Sequence, residues 1–148
     1  MTSERIVAEA RSWLGTRFHH QGRVKGVGVD CAGLIVGVAQ AVGVSITDCS
    51  DYTRIPDGEL LKQLCDQQLI SIARHDIAMG DVLLFRIERE PQHLAIVGNY
   101  VSQSLRDCGD GYLSMIHAYA PARCVVECRL DAVWMQRLVA AYRLVKKH

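Results

Sequence analysis

The sequence predicts an α+β fold, with helices in the first half packed on an antiparallel sheet formed by the second, and three observations carry the expectation. Apolar residues near the N-terminus recur at helical spacing. From Ala32 to Val42 only Gln40 is strongly polar, so a helix there has no wide solvent face. After Gly80 the period changes to short β-rich runs separated by turn residues.

Ile6, Val7, Ala10, Trp13 and Leu14 share one helical face, with Thr2 or Ser3 as the cap and Gly15 as the stop. Residues 16–29 carry Gly22, Gly26 and Gly28 among Arg17, Phe18, His19, His20, Gln21, Arg23 and Lys25, and read as a loop. That loop leads straight into Asp30-Cys31-Ala32-Gly33 and must deliver its residues beside Cys31. Asp30 is a good N-cap and Gly43 sits where a helix closes, which makes this the central, buried helix. Gly33 and Gly37 are four apart, so they share a face on which another segment can come close.

Residues 47–56 are loop-like, and Asp57 is expected to cap a short helix with Leu60, Leu61, Leu64 and Cys65 on one side. Ala78-Met79-Gly80-Asp81 is a turn, followed by a strand at 82–87 and a turn at 88–91. Further strands are expected at 93–101, 111–119, 122–130 and 138–145, with a polar loop around Asp107, Gly109 and Asp110 and a helical turn at 132–136. The expected sheet therefore has about five strands.

With 148 residues and 49% hydrophobic content the chain can bury one proper core, so residues 1–148 are read as a single domain. A net charge of +1 gives no electrostatic reason to expect nucleic acid or an acidic membrane as partner. Six cysteines without a CxxC pair, in a domain of this size, read as mostly reduced thiols. Charges break the first nine residues and no apolar run reaches membrane-spanning length, so the expected product is a soluble cytoplasmic chain without a signal peptide.

Cys31 falls at the first helical position, where unpaired N–H groups and the helix dipole favour a thiolate and offer donors to an oxyanion. A buried cysteine acting as a small hydrophobe is the competing reading. His93 and His117 gain meaning when the hairpin is drawn. If Val101 lies near Gly111, Ala95 faces His117 and His93 faces Tyr119, so both histidines point the same way one diagonal step apart. A cysteine and two such histidines are the parts of a nucleophile, a base and its orienter. Cys124 and Cys128 also share a strand face and, with histidines, form a candidate metal set; two core cysteines are the simpler account, and no metal or cofactor is expected.

The ordered set Asp30-Cys31-Ala32-Gly33, Gly80-Asp81-Val82-Leu83-Leu84-Phe85 leading to His93-Leu94-Ala95-Ile96-Val97, and Met115-Ile116-His117-Ala118 resembles the NlpC-type cell-wall peptidases. These are papain-like cysteine hydrolases of bacteria and their phages. Trp13-Leu14-Gly15-Thr16 and Phe18-His19-His20-Gln21-Gly22 look most like the phage-tail-associated branch. The resemblance implies Cys31 as nucleophile, His93 as general base and His117 as the residue that orients it. It also implies hydrolysis of an amide in peptidoglycan stem peptides, between D-glutamate and the diamino acid, with possible partners among phage tail proteins and action on the cell wall as a virion component. Alternatives are an acyl or amide transferase with the same apparatus and a non-catalytic tail-assembly or wall-binding module. Four departures from the family pattern stand out: Ala32 in place of Ser, Met79 in place of Pro, Phe18 in place of Tyr, and a long interval between His93 and His117. Phe18 cannot donate the hydrogen bond of the missing tyrosine, and His19, His20 and above all Gln21 are the candidate replacement donors, with Asp30 the capping residue beside them.

Overall fold

The computed structural model describes residues 2–48, 58–87, 90–100 and 112–144. Helix α1 (Ser3–Arg11) starts at Thr2, whose hydroxyl accepts the Arg5 N–H, and buries Ile6, Val7 and Ala10. Two short strands, β1 (Arg23–Val24) and β2 (Gly28–Val29), pair as a ribbon inside the segment expected to be a loop. Strands of two residues leave no periodic signal to read. Helix α2 (Cys31–Ala41) follows with Asp30 as its N-cap, and α3 (Gly58–Gln68) buries Cys65. The expected cap at Asp57 lies outside the described residues.

Among the described residues the main sheet has six strands, one more than expected. They are β3 (Ile70–Ile72), β4 (Val82–Ile87), β5 (Glu90–Tyr100), β6 (Tyr112–Tyr119), β7 (Cys124–Arg129) and β8 (Leu138–Arg143), in the order β3-β8-β4-β5-β6-β7, and every pairing is antiparallel. The meander β4 to β7 is the expected one. The final strand returns to pair with β4 and carries the unforeseen three-residue β3 on its far edge. The expected helical turn is α4 (Ala132–Gln136), capped by Asp131. Strand β5 begins earlier than expected, because Pro91 sits opposite Arg86 at a bulge that leaves Gln92 between the Arg86 and Phe85 pairs.

The two faces of this sheet build separate cores. Leu84, Leu94, Ile96, Ile116 and Ala118 pack under α1 and α2, while Leu83, Phe85, Ala95, Val97, Met115 and Ala141 pack on the other face with Trp134 of α4. The Tyr142 hydroxyl donates to Asp66 at 2.6 Å and ties α3 to the sheet. Helix α2 fits this close because of its two glycines: a Cβ at Gly33 would strike the Gly22 carbonyl oxygen, and one at Gly37 would strike the indole of Trp13. No helix among the described residues is long and apolar enough to cross a membrane.

Gly37→Ala is expected to lower stability by about 1–3 kcal/mol in urea unfolding, since overpacking against a buried indole outweighs the helix propensity gained. Trp13→Phe in the same chain should recover part of that loss, and simple additivity of the two substitutions would contradict the contact.

Candidate active site

Asp30 organises the approach to α2. Its carboxylate accepts the Gly33 N–H at 2.8 Å as the helix cap, the Gln21 N–H at 2.8 Å and the Arg23 guanidinium at 3.0 Å, and Arg23 in turn reaches Asp48 at 3.1 Å. The first turn of α2 and the preceding loop are thereby fixed to one buried carboxylate. Cys31 follows as the first helical residue and is half-buried. It approaches β5 from the helical face. Its thiol donates to the Gln92 carbonyl oxygen at 3.8 Å, and the N–H groups of Leu94, Ala32 and Cys31 itself face the sulfur. The thiol thus rests on the main chain on either side of His93.

His93 and His117 are brought together as the hairpin register requires. Strands β5 and β6 pair from Ile96 with Ile116 to Tyr100 with Tyr112, which extended toward the start of β5 sets Ala95 against His117 and His93 against Tyr119. Nε2 of His93 and Nδ1 of His117 lie 2.7 Å apart. Alternation places His93 with Phe85, Ala95 and Val97, on the face away from α2, so its imidazole leaves the strand opposite to Leu94. Among the described residues the hydrogen bonds therefore join the two imidazoles to each other and the thiol to the main chain. Among the described residues the hydrogen bond of His93 uses Nε2, which leaves Nδ1 as its other ring nitrogen, and no buried side-chain nitrogen or oxygen lacks a partner.

Three aromatic rings enclose the imidazole pair. Tyr119 stacks on His117 with centroids 4.9 Å apart, Trp134 stands edge-on to His117 at 5.4 Å, and Phe85 lies 6.3 Å from His93. Cys128 of β7 closes the far side, its sulfur 3.5 Å from Nε2 of His117. Sequence reading missed Trp134, and grouped Cys128 with the histidines only as part of a candidate metal set. Tyr119 was visible as the residue facing His93, but the β6 to β7 register that brings Cys128 diagonally beside His117 depends on the turn before Cys124, and the sequence there suggests a strand start two residues too early.

The loop residues take different parts. Phe18 is half-buried against the helical core and its N–H donates to the Arg123 carbonyl, while His19 is exposed and its Nδ1 lies 2.9 Å from the His20 carbonyl oxygen. Gln21 is exposed, with a left-handed φ of 62°, and reaches the site through its main-chain N–H on Asp30.

Burial decides the protonation states. The thiol of Cys31 is pushed up to about 11 by desolvation first and the Asp30 carboxylate second, and these outweigh the neighbouring N–H groups. The expected thiolate therefore gives way to a resting thiol. Desolvation, aided by the neighbouring His117, takes His93 down to about 3, and desolvation takes His117 down to about 4. The resting site holds a neutral thiol and two neutral imidazoles, with main-chain N–H donors around the sulfur.

The NlpC/P60 family matches residues 15–143, and the chain belongs to that family. Its fold is shared with an NlpC/P60 family protein of Bacillus cereus (TM-score 0.66, 18% identity, 97% of this chain and 40% of that one). It is also shared with the NlpC/p60 domain of the peptidoglycan hydrolase SagA (0.63, 21%, 97% and 100%). RipD of Mycobacterium tuberculosis, described as a non-catalytic NlpC/p60 domain protein adapted to peptidoglycan binding, is similar at 0.58 and 15% over 97% of each chain. The chain spans about two-fifths of the length of the Bacillus cereus protein and of a Staphylococcus aureus NLP/P60 protein. No curated protein sequence matches it.

The buried imidazoles give a pH signature. Each is protonated near pH 6.5 in the unfolded chain but resists protonation in the fold, so their contribution is complete above that pH and is lost as pH falls through about 4 and about 3. Thermal unfolding should show stability falling by about 1.4 kcal/mol per pH unit for each histidine once pH drops below that of the free imidazole. A flat profile from there to about pH 5, above the range where carboxylates titrate, would place the imidazoles in water.

Proposed function

We propose that this chain is a cysteine peptidase that hydrolyses amide bonds in peptidoglycan stem peptides. The observation that carries the reading is Cys31 at the start of α2, seated on β5 beside His93, with His93 hydrogen-bonded to His117. Family membership and the likeness to SagA support the substrate class. In this mechanism substrate entry frees the thiol from Gln92, and His93, reaching around the start of β5 from the other face, takes the proton at Nδ1 as the sulfur attacks the carbonyl carbon. Main-chain N–H groups of Cys31 and Ala32 hold the oxyanion. The amine leaves with the proton from His93, and water, deprotonated by the same imidazole, releases the acid and restores the thiol. The bond between D-glutamate and the diamino acid, and delivery to the wall as a phage tail component, are the finer parts of the proposal. They rest on the sequence resemblance, as does the reading of the chain as one catalytic domain.

A wall-binding domain without catalysis is the second reading, favoured by the thiol's hydrogen bond to main chain and by its high pKa. RipD supplies a described example of that kind. Incubation with several peptidoglycan types, with new amines and carboxylates identified by mass spectrometry, separates the two. The peptidase reading expects cleavage that Cys31→Ala abolishes, His93→Ala reduces to near background, and His117→Ala reduces less, because the base moves the proton whereas the third residue fixes its ring. Retained peptidoglycan binding with no cleavage by any chain would establish the second.

A further inference from the structure

The hydrogen-bonded line through the imidazoles does not end at His117, because the Cys128 sulfur lies 3.5 Å from its remaining ring nitrogen, Nε2. A neutral imidazole has one N–H and one lone pair, so a line of three groups has two self-consistent directions. In one, His93 donates from Nε2 to Nδ1 of His117, and His117 donates from Nε2 to the sulfur. Nδ1 of His93 then carries the lone pair that a general base requires. In the other, the thiol donates to His117, His117 donates to His93, and Nδ1 of His93 carries a proton and cannot accept one.

We propose that Cys128 is a positioning residue for the peptidase reaction: its sulfur accepts the Nε2–H of His117 and holds both imidazoles in the tautomers that leave Nδ1 of His93 as the base. The inference rests on the peptidase reading for its consequence, but the tautomers exist independently of it. Two features of the surroundings favour this direction. Desolvation first, then the carboxylate of Asp131, which caps α4, and more weakly that of Glu127, which is paired with Arg11, hold the proton on the Cys128 sulfur. The acidic side therefore attracts the positive end of an N–H dipole and opposes a thiolate. An imidazole N–H is also a better donor than a thiol S–H, so using both imidazole donors inside the line satisfies the stronger groups. Ring contacts from Tyr119 and Trp134 keep His117 from turning away.

Long-range proton–nitrogen NMR correlation on the whole chain reads the tautomers directly, with no substrate present. The expected result is an Nε2–H form for both His93 and His117. In Cys128→Ala the His117 signal should become a mixture of tautomers and kcat should fall about tenfold at unchanged KM. Cys128→Ser, which keeps an acceptor at that position, should restore the single tautomer and most of kcat. Thermal unfolding of both variants separates this effect from loss of fold. An Nδ1–H form of His117 in the unsubstituted protein, or a Cys128→Ala chain with unaltered tautomers, would overturn the proposal. Absence of hydrolysis with the tautomers as expected would overturn the peptidase reading and leave the positioning role standing.

Discussion

The site depends first on one buried carboxylate. Asp30 caps α2, holds the main chain at Gln21 and pairs with Arg23, so the position of the Cys31 sulfur and the course of the loop beside it have a common anchor. The arrangement has an electrostatic consequence. The charge that locates the thiol also opposes its ionisation, and burial acts in the same direction. A helix N-terminus lowers a thiol pKa when the sulfur remains well solvated; at Cys31 desolvation together with the Asp30 carboxylate outweighs the partial charges of a few N–H groups.

A second constraint comes from the sheet. Because β5 is buried on both faces, its alternate residues must serve two cores at once, and His93 belongs to the face that also holds Phe85, Ala95 and Trp134. Polar groups there are tolerated since each finds a partner: His93 bonds His117, and His117 meets Cys128. The bulge at Gln92 lies where the strand emerges, at the point where thiol and imidazole approach the same stretch of main chain from opposite sides. Burial leaves both groups neutral at rest.

Much of this architecture was legible in the residues. Asp30 as cap, the apolar run after Cys31 and the closing Gly43 define α2, and hairpin arithmetic placed the two histidines on one face because two strands and a shared register suffice for it. The ribbon β1–β2 and the strand β3 escaped, being two and three residues long, too short for any period. The protonation states escaped for a different reason. Desolvation is a property of packing from both sides of the sheet, whereas the local sequence at a helix terminus shows only the N–H groups that favour the thiolate. Gln21 shows the same limit: that its main-chain N–H anchors the loop to Asp30 depends on the folded course of the loop and has no signal in the residues themselves.

Burial and the Asp30 carboxylate hold Cys31 at rest as a neutral thiol. The direct measurement is its alkylation rate as a function of pH, with the modified residue mapped by mass spectrometry and Asp30→Asn taken as the comparison. A neutral thiol should give a rate that keeps rising through the alkaline range toward an inflection at about 11, and an inflection displaced downward in Asp30→Asn, where the cap can persist without the charge. An inflection at or below neutrality, unmoved by Asp30→Asn, would show a resting thiolate and contradict it.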